Sequence, residues 1–288
     1  MKYLITGATG NLGTRVVHNL IKLVGSESIT AAVHTPSKAN LIKELGVNLV
    51  SIDYLNVDSM VQAFKKQDVV IYIPSKTYSM LQRITEFENS IKALKLSNVH
   101  NVVFVSFYAD QENNPFTMSP YYGYAPRKLA GSGLAYAVIR NSLYADPLVP
   151  YLPELIERKH LIYPVGDQAM SFITQDDSAE SIAKLAMQPN LRDHGQIYTV
   201  TQDNSLTMPE LGKIMTTITD HTIGYEPVTT KEFGEIYAPD GDGEELASMY
   251  AAGALGLFDQ VTNDFKTITG HAPENMLNFL SRNYVERK

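Results

Sequence analysis

Three glycines at intervals of three, Gly7, Gly10 and Gly13, stand near the N-terminus in KYLITGATGNLGTRVV (residues 2–17). A short apolar run precedes them, and a helical pattern follows from about Leu12. In such a turn the first glycine permits a tight bend, the second lets backbone N–H groups approach a pyrophosphate, and the third lets helix pack on strand. The positive end of the helix then faces the phosphates. The pattern predicts a dinucleotide-binding loop, and the alternative is a packing turn.

The end of the second apolar run indicates which nucleotide that loop would suit. An NAD site places an Asp or Glu about 20 residues beyond the glycines, whereas an NADP site needs a cation and no carboxylate there. The segment AAVHTPSK (residues 31–38) has no acid but contains His34 and Lys38. The sequence therefore favours NADP, with NAD as the alternative, because an absent carboxylate only permits the phosphate and His34 is a weak, pH-dependent partner.

One tyrosine and one lysine have the spacing of a proton-donating pair. Tyr124 and Lys128 stand four residues apart in YYGYAPRK, so that on a helix both project from one face and the ammonium lowers the pKa of the phenol. Ser106, after the fifth apolar run, is the candidate to orient a substrate oxygen. Pro126 fits only the first turn of a helix, which would put Tyr124 at the helix entrance. A structural aromatic role is therefore the alternative for Tyr124.

The elements that must position these residues alternate as parallel βαβ units do. Short apolar runs predict strands, and the longer periodic segments between them predict helices. The strand runs are 2–6, 28–34, 46–53, 68–74, 101–107 and 135–142, and the helical patterns are 12–24, 37–45, 57–66, 78–97 and a short one from near Ala125. They predict an α/β fold with a Rossmann-type doubly wound parallel sheet.

After Ser142 the alternation of apolar runs and helical patterns becomes less regular, and prolines become frequent. The remaining patterns are a helix at 174–188, a strand at 195–201, and helices near 207–217, 229–238, 243–253 and 274–285. We therefore predict an NAD(P)-binding core over 1–142, to which about 174–201 returns. A smaller, mixed C-terminal substrate lobe would take most of 143–288.

Composition excludes several classes of function. A formal net charge of −7 leaves no basic field for phosphates, which argues against nucleic-acid and anionic-membrane binding. The absence of cysteine removes disulfides and thiolate sites, and the histidines lack metal-binding spacings, so no metal is expected. No segment reads as a signal peptide or a membrane span. We expect a cytoplasmic monomer or homodimer whose partner is a small-molecule substrate.

Five segments together carry a family resemblance. TGATGNLG, HTPSKA after the second strand, VSFYAD after the fifth, VIRNSLY after the sixth, and GHAPENMLNFL at 270–280 resemble the NmrA-like branch of atypical short-chain dehydrogenases over nearly the whole chain. Within that branch the sequence resembles the NAD(P)H-dependent quinone oxidoreductases. In those enzymes an arginine before the second-strand turn contacts the NADP phosphate. This sequence has His34 there, with Lys38 as the substitute cation.

The resemblance implies cofactor contacts at several strand ends. Asp53 is assigned either to the adenine amino group or to a turn. Asn141 and Tyr144 are assigned to the nicotinamide end, with a strand cap and a core aromatic residue as their alternative roles. The full cofactor set comprises Gly7, Ala8, Thr9, Gly10, Asn11, Leu12, Gly13, His34, Lys38, Asp53, Ile73, Pro74, Ser75, Asn141, Ser142, Leu143, Tyr144 and Gln175.

Three functions fit these residues. The first is an NAD(P)H-dependent oxidoreductase that reduces quinone-like or small conjugated carbonyl substrates by hydride transfer. The second is an NmrA-like redox sensor that binds NAD(P) without turnover. The third is a nucleotide-sugar epimerase or reductase of the extended short-chain dehydrogenase type, which requires a working Tyr124–Lys128 pair. The NmrA-like branch often lacks that tyrosine, and its quinone reductases use direct hydride transfer.

Overall fold

The computed structural model describes residues 1–284, apart from the side chains of Lys38 and Asp240. Within this range the strands are β1 Tyr3–Ile5, β2 Ile29–Val33, β3 Asn48–Ser51, β4 Val69–Tyr72, β5 Asn101–Phe107, β6 Ala135–Asn141, β7 Leu143–Tyr144, β8 His160–Leu161, β9 Ala169–Ile173, β10 Gln196–Val200, β11 Ser205–Thr207 and β12 Gly224–Tyr225. The α-helices are α1 Asn11–Val24, α2 Asn40–Glu44, α3 Val57–Phe64, α4 Met80–Leu96, α5 Ser119–Ala130, α6 Leu148–Arg158, α7 Gln175–Ala186, α8 Pro189–Arg192, α9 Met208–Thr219, α10 Thr230–Tyr237, α11 Gly243–Ala254, α12 Asp264–Thr269 and α13 Met276–Asn283. None of the helices in this range has the length and apolar character needed to cross a membrane.

Seven strands form one sheet in the order β10-β6-β5-β4-β1-β2-β3, and every neighbouring pair is parallel. From β1 the chain moves outward to β2 and β3, then returns to the other side of β1 for β4, β5, β6 and β10. The predicted Rossmann-type doubly wound sheet is therefore confirmed. The strand order reverses between β1 and β4, and sheets of this kind bind ligands in the crevice at that point, outside the carboxyl ends.

Helices cover both faces of this sheet, and β4 shows how its sequence requires them. Val69 and Ile71 pack into the core beneath α1, α7 and α12, whereas Val70 and Tyr72 pack into the core beneath α3, α4 and α5. All four side chains are at most 1% exposed. A strand buried on both faces needs a continuous apolar run, which is why these strands were recognisable in the sequence.

The C-terminal part builds a second core. β7, β9 and β11 form a small mixed sheet, and β8 pairs with β12. Apolar residues from these strands, from α6, α9, α10, α11 and α13, and from the segment after α11 cluster here, among them Met170, Leu211, Phe233, Phe258 and Leu280. α7 and β10 instead join the main sheet layer. The smaller mixed unit is present as expected, and its role as a substrate lobe stays a prediction.

Two helices depart from the sequence expectation, and both contain proline. α5 begins at Ser119 and not near Ala125, so the expected position of Pro126 in a first turn was wrong. Pro120 occupies the start of α5, and Pro126 lies inside the helix. α6, which has Pro153 inside it, was not expected at all. An internal proline removes a helical hydrogen bond, and here both helices also bury apolar side chains, which the local sequence rule ignores.

Candidate nucleotide and active site

The turn after β1 is bonded to the end of β4. Thr6 Oγ1 donates to the carbonyl of Ile73 at 3.0 Å and accepts from the Ile73 N–H at 2.9 Å. The Tyr54 hydroxyl donates to the same carbonyl at 3.0 Å. Gly7 follows with φ +63°, a left-handed conformation that glycine adopts without a steric penalty. The chain therefore turns sharply where the strand order reverses.

Gly13 allows α1 to approach this turn. A Cβ at Gly13 would lie 2.2 Å from the carbonyl oxygen of Gly7 and 2.9 Å from Cα of Ala8. Thr14 Oγ1 donates to the Ala8 carbonyl at 3.1 Å, and the Gly10 N–H donates to the Gly7 carbonyl at 3.0 Å. The loop is therefore closed against the helix, and no residue larger than glycine fits at position 13.

The N-terminus of α1 has no side-chain cap. Gly10 stands at the cap position, and the first turn contains no acidic residue. By contrast, Ser79 caps α4 and Thr174 caps α7. Thr9 and Asn11 are exposed, and Leu12 is buried against the core. Free N–H groups and the positive end of the helix dipole make this cradle suitable for a pyrophosphate.

An open cavity of about 300 Å³ lies along the same edge of the sheet. His34 after β2, Asp53 after β3 and Ser75 after β4 all line it. The structure thus brings together three of the segments expected to contact nucleotide. His34 is exposed. The side chain of Lys38 lies outside the described residues, so its assignment stays a prediction.

Asp53 makes a turn and also faces this cavity. Its Oδ1 accepts from the Leu55 N–H at 2.8 Å, while Asn56 caps α3 by accepting from the Ser59 N–H. The carboxylate remains exposed on the cavity wall. The turn alternative for Asp53 is therefore present, and its contact with the adenine amino group stays a prediction.

The loop after β4 rests on a buried carboxylate. Glu86 of α4 is 4% exposed. Ser75 Oγ donates to its Oε2 at 2.5 Å, and Gln82 Nε2 donates to its Oε1 at 2.8 Å. Pro74 is half-buried beside this pair. These bonds fix the loop at the edge of the cavity.

A buried polar chain marks the end of β6. Ser178 Oγ of α7 donates to Asn141 Oδ1 at 2.6 Å, and Asn141 Nδ2 donates to the Tyr144 hydroxyl at 3.0 Å. Burial raises the pKa of the Tyr144 hydroxyl well above its usual range, so it remains a neutral phenol at physiological pH. The two residues assigned to the nicotinamide end are therefore bonded to each other.

Two buried hydroxyls lie near this chain. Ser106 near the end of β5 and Ser142 after β6 have no hydrogen-bond partner for Oγ among residues 1–284. Leu143, between Ser142 and Tyr144, is buried in the second core. Buried hydroxyls normally have partners, so Ser106 and Ser142 leave hydrogen-bonding capacity for a bound group.

The start of α7 is tied to α1. The Gln175 N–H donates to Asp146 Oδ2 at 2.8 Å. Arg15 of α1 pairs with Asp146 at 3.5 Å and with Asp176 at 2.8 Å. Burial raises the pKa of Asp146. These bonds hold Gln175 close to the helix that carries the glycine loop.

Tyr124 and Lys128 both lie on α5, one turn apart, as their spacing requires, but they share a partner on α4. The Tyr124 hydroxyl donates to Glu88 Oε1, and Lys128 Nζ lies 2.8 Å from Glu88 Oε2. Lys128 and Glu88 are both more than a third exposed. Tyr124 also lines a different cavity, of about 390 Å³, that shares no lining residue with the one beside His34. No hydrogen bond among residues 1–284 joins this pair to Ser106, and the catalytic assignment stays a prediction.

Sequence reasoning missed a second tyrosine–cation pair. Arg83 of α4 donates to the Tyr122 hydroxyl at 3.1 Å and to the Thr77 carbonyl at 2.7 Å. Thr77 belongs to the loop after β4, and the neighbouring Tyr78 donates its hydroxyl proton to Asp242 beside α11. Arg83 and Tyr122 are 39 residues apart in sequence, and Tyr78 and Asp242 are 164 apart, so no local spacing could reveal these two pairs.

No group of three or more His, Cys, Asp or Glu side chains within the described residues is arranged to hold a metal ion.

A model of the NmrA-like family matches residues 1–267. The chain belongs to the NmrA-like family. The predicted family is thus confirmed. Four of the five sequence segments lie within the matched residues, and the segment at 270–280 lies beyond them.

Individual proteins similar to this chain are named as oxidoreductases or as an epimerase. Quinone oxidoreductase 2 of Escherichia coli is 27% identical, covering 92% of this chain and 91% of its own. A Staphylococcus aureus protein described as a nucleoside-diphosphate-sugar epimerase is 41% identical, with a TM-score of 0.92 over 98% of this chain and 100% of its own. The Citrobacter sp. triphenylmethane reductase complexed with NADP(H) is 20% identical, with a TM-score of 0.91 over 99% and 100% of the two chains; at that identity it shows the fold alone.

Proposed function

We propose that this protein is an NAD(P)H-dependent oxidoreductase that reduces a quinone or another small conjugated carbonyl compound, with NADP as its nucleotide. The observation that carries the proposal is the uncapped N-terminus of α1 behind a loop that only Gly7 and Gly13 permit, at the point where the strand order reverses. The name of the Escherichia coli relative supports it.

Each part of the carboxyl edge has a role in this proposal. The glycine loop and α1 hold the pyrophosphate. His34 and Asp53 border the adenosine half, with no acid at the end of β2 to repel a ribose phosphate. Asn141 and Tyr144 orient the nicotinamide, and Ser106 and Ser142 offer unpaired hydroxyls nearby. The reduced nicotinamide supplies a hydride when bound.

The epimerase alternative has one specific observation in its favour, the name of the Staphylococcus aureus relative. That chemistry requires a tyrosine acid with a cation beside it at the nicotinamide. Glu88 engages both Tyr124 and Lys128 on the α4 side of α5. The reductase therefore fits the described contacts better.

Binding and turnover measurements test the proposal. NADPH and NADH are titrated by nicotinamide fluorescence, and oxidation is then followed by absorbance with a panel of benzoquinones and naphthoquinones. We expect tighter binding of NADPH and its oxidation by at least one quinone, with Tyr124→Phe retaining most of the rate. Tight binding without oxidation across the panel would instead indicate a sensor. Turnover of a nucleotide sugar that Tyr124→Phe abolishes would indicate the epimerase.

A further inference from the structure

Arg83 is a buried cation without an acidic partner. Its side chain is 6% exposed, its Nε has no hydrogen-bond partner, and none of the described carboxylates forms an ion pair with it. Its other nitrogens bond to the Tyr122 hydroxyl and the Thr77 carbonyl, and its guanidinium lies 5.6 Å from the centre of the Tyr121 ring. Buried charges are normally paired with opposite charges. Arg83 instead interacts with the Glu245 carboxylate only through its charge, without a hydrogen bond, and donates directly to the Tyr122 hydroxyl.

Tyr122 lies near the nicotinamide end of the site. It is half-buried between the two cores, and its ring packs against Phe107 and Phe116. Phe107, whose ring lies 5.7 Å from that of Tyr122, stands opposite Asn141 in the pairing of β5 with β6. Since Tyr144 is bonded to Asn141, the Tyr122 hydroxyl is close to the group of residues assigned to the nicotinamide.

We propose that Tyr122 is the proton donor to the reduced substrate and that Arg83 stabilises the phenolate that remains. This inference rests on the proposed function and extends it to the residues that complete the reaction. A quinone becomes a hydroquinone by taking up one hydride and one proton. The hydride comes from the reduced nicotinamide, which is left oxidised. The proton comes from Tyr122, whose O–H bond breaks as the new O–H bond on the substrate oxygen forms.

The charges around Tyr122 suit this role. Burial raises the pKa of its hydroxyl, so the resting group is a protonated phenol that can donate. Arg83 of α4 opposes that rise through its charge and its hydrogen bond, whereas Glu245 of α11 adds to it. A guanidinium bonded to the oxygen lowers the free energy of the phenolate as the proton leaves. The phenolate then recovers a proton from solvent after the hydroquinone has left.

The test compares acceptors that need a proton with one that does not. A benzoquinone requires hydride and proton, while a cationic triarylmethane dye is neutralised by hydride alone. We expect Tyr122→Phe to lower kcat for the quinone by about 100-fold, the usual contribution of a general acid, with the KM for NADPH and the rate with the dye nearly unchanged. Arg83→Lys, which keeps a cation, should retain more of the quinone kcat than Arg83→Met.

A binding measurement gives a readout apart from activity. The para-nitrophenolate anion mimics a singly ionised hydroquinone, and we expect Tyr122→Phe to weaken its binding to the NADP⁺ complex about tenfold, the loss of one hydrogen bond to a charged group. Tyr121→Phe is the matched control, because its buried hydroxyl has no hydrogen-bond partner among the described residues, and it should change neither kcat nor binding.

Three results would overturn the proposal. One is an unchanged quinone kcat in Tyr122→Phe. Another is an equal loss with both acceptors, which marks a structural role. The third is a loss of quinone turnover in Tyr124→Phe alone. If the unmodified protein binds NADPH but reduces no acceptor, the proposed function itself fails, and the proton donor fails with it. Turnover by the unmodified protein separates these two cases.

Discussion

The glycine loop and the tyrosines of α5 differ in what determines their geometry. Gly7, Gly10 and Gly13 contact one another within seven residues of chain. The partners of Tyr122 and Tyr124, by contrast, are Arg83 and Glu88, which lie 39 and 36 residues away. A site made from near neighbours can be recognised from spacing, but a site made across helices depends on which side chains the fold brings opposite.

The two tyrosines sharpen this difference, since they stand two positions apart on one helix. Such positions are about 200° apart around the axis, so their side chains face nearly opposite sides. The four-residue spacing from Lys128 made Tyr124 the candidate proton donor. In the structure both side chains bind Glu88, at a partly exposed position. The Tyr122 hydroxyl also bonds to α4, but at Arg83, and its ring packs against Phe107 between the two cores.

The largest expected effect tests the rigidity of the glycine loop. In Gly13→Ala the new Cβ would meet backbone atoms of Gly7 and Ala8, so α1 must move away from the loop. We expect NADPH affinity to fall about 100-fold, because the phosphate cradle loses its geometry. Fluorescence titration measures it. Gly131→Ala, where a Cβ makes only ordinary contacts at 3.9 Å, is the control, and equal effects at both positions would contradict the cradle.

The next effect concerns stability at the tyrosine pairs. Arg83→Met leaves the buried Tyr122 hydroxyl and the Thr77 carbonyl without a donor, which should lower the free energy of unfolding by about 2 kcal/mol. Lys128→Met removes an exposed pair with Glu88 and should cost less than about 1 kcal/mol. Urea unfolding of both variants checks the order. A larger loss of unfolding free energy in Lys128→Met than in Arg83→Met would contradict this expectation.

A smaller effect is expected at the open end of the nucleotide cavity. His34→Arg places a permanent, bidentate cation where the exposed imidazole now stands. We expect NADPH to bind about fivefold more tightly and NADH to bind as before. Parallel titrations of the two nucleotides give the ratio. An equal gain for both would show that position 34 does not contact the ribose phosphate.

The smallest effect is a pH dependence at the loop after β4. The hydrogen bond to Asp242 raises the pKa of Tyr78 from 10.0 to about 12. The folded state therefore favours the protonated phenol, and this stability is fully present below pH 10 and lost as the pH rises toward 12. Because Tyr78 is 55% exposed, the contribution is small. Unfolding of the unmodified protein and of Tyr78→Phe should differ at pH 8 and converge toward pH 12, and a constant difference would speak against the bond.

Much of the main sheet followed from periodicity alone. β4 and β5 are buried on both faces, which requires uninterrupted apolar runs, and those runs are visible in the sequence. α6 was not predicted, because Pro150 and Pro153 are strong local signals against a helix. The burial of Leu152 and Leu155, which stabilises the helix, depends on tertiary contacts that the local sequence does not show.

The site divides in the same way. The positions of His34, Asp53 and Ser75 at strand ends were sufficient to predict that they would meet at one edge. The bond from Ser178 to Asn141 and the burial of Glu86 were not predictable, since each depends on a helix packing at one particular rotation. The role of Arg83 was hidden for the same reason. An arginine in a helical pattern looks solvent-exposed until the fold buries it.

The loop after β4 has one further consequence. Ile73 is bonded to Thr6 beneath the glycine turn, and Tyr78 is bonded to Asp242 beside α11. The same short segment thus contacts both the nucleotide half and the C-terminal core. A ligand that holds the loop in the position that the other ligand needs raises the affinity for that ligand, and such coupling is reciprocal. We therefore expect nucleotide and acceptor to raise each other's affinity by the same factor.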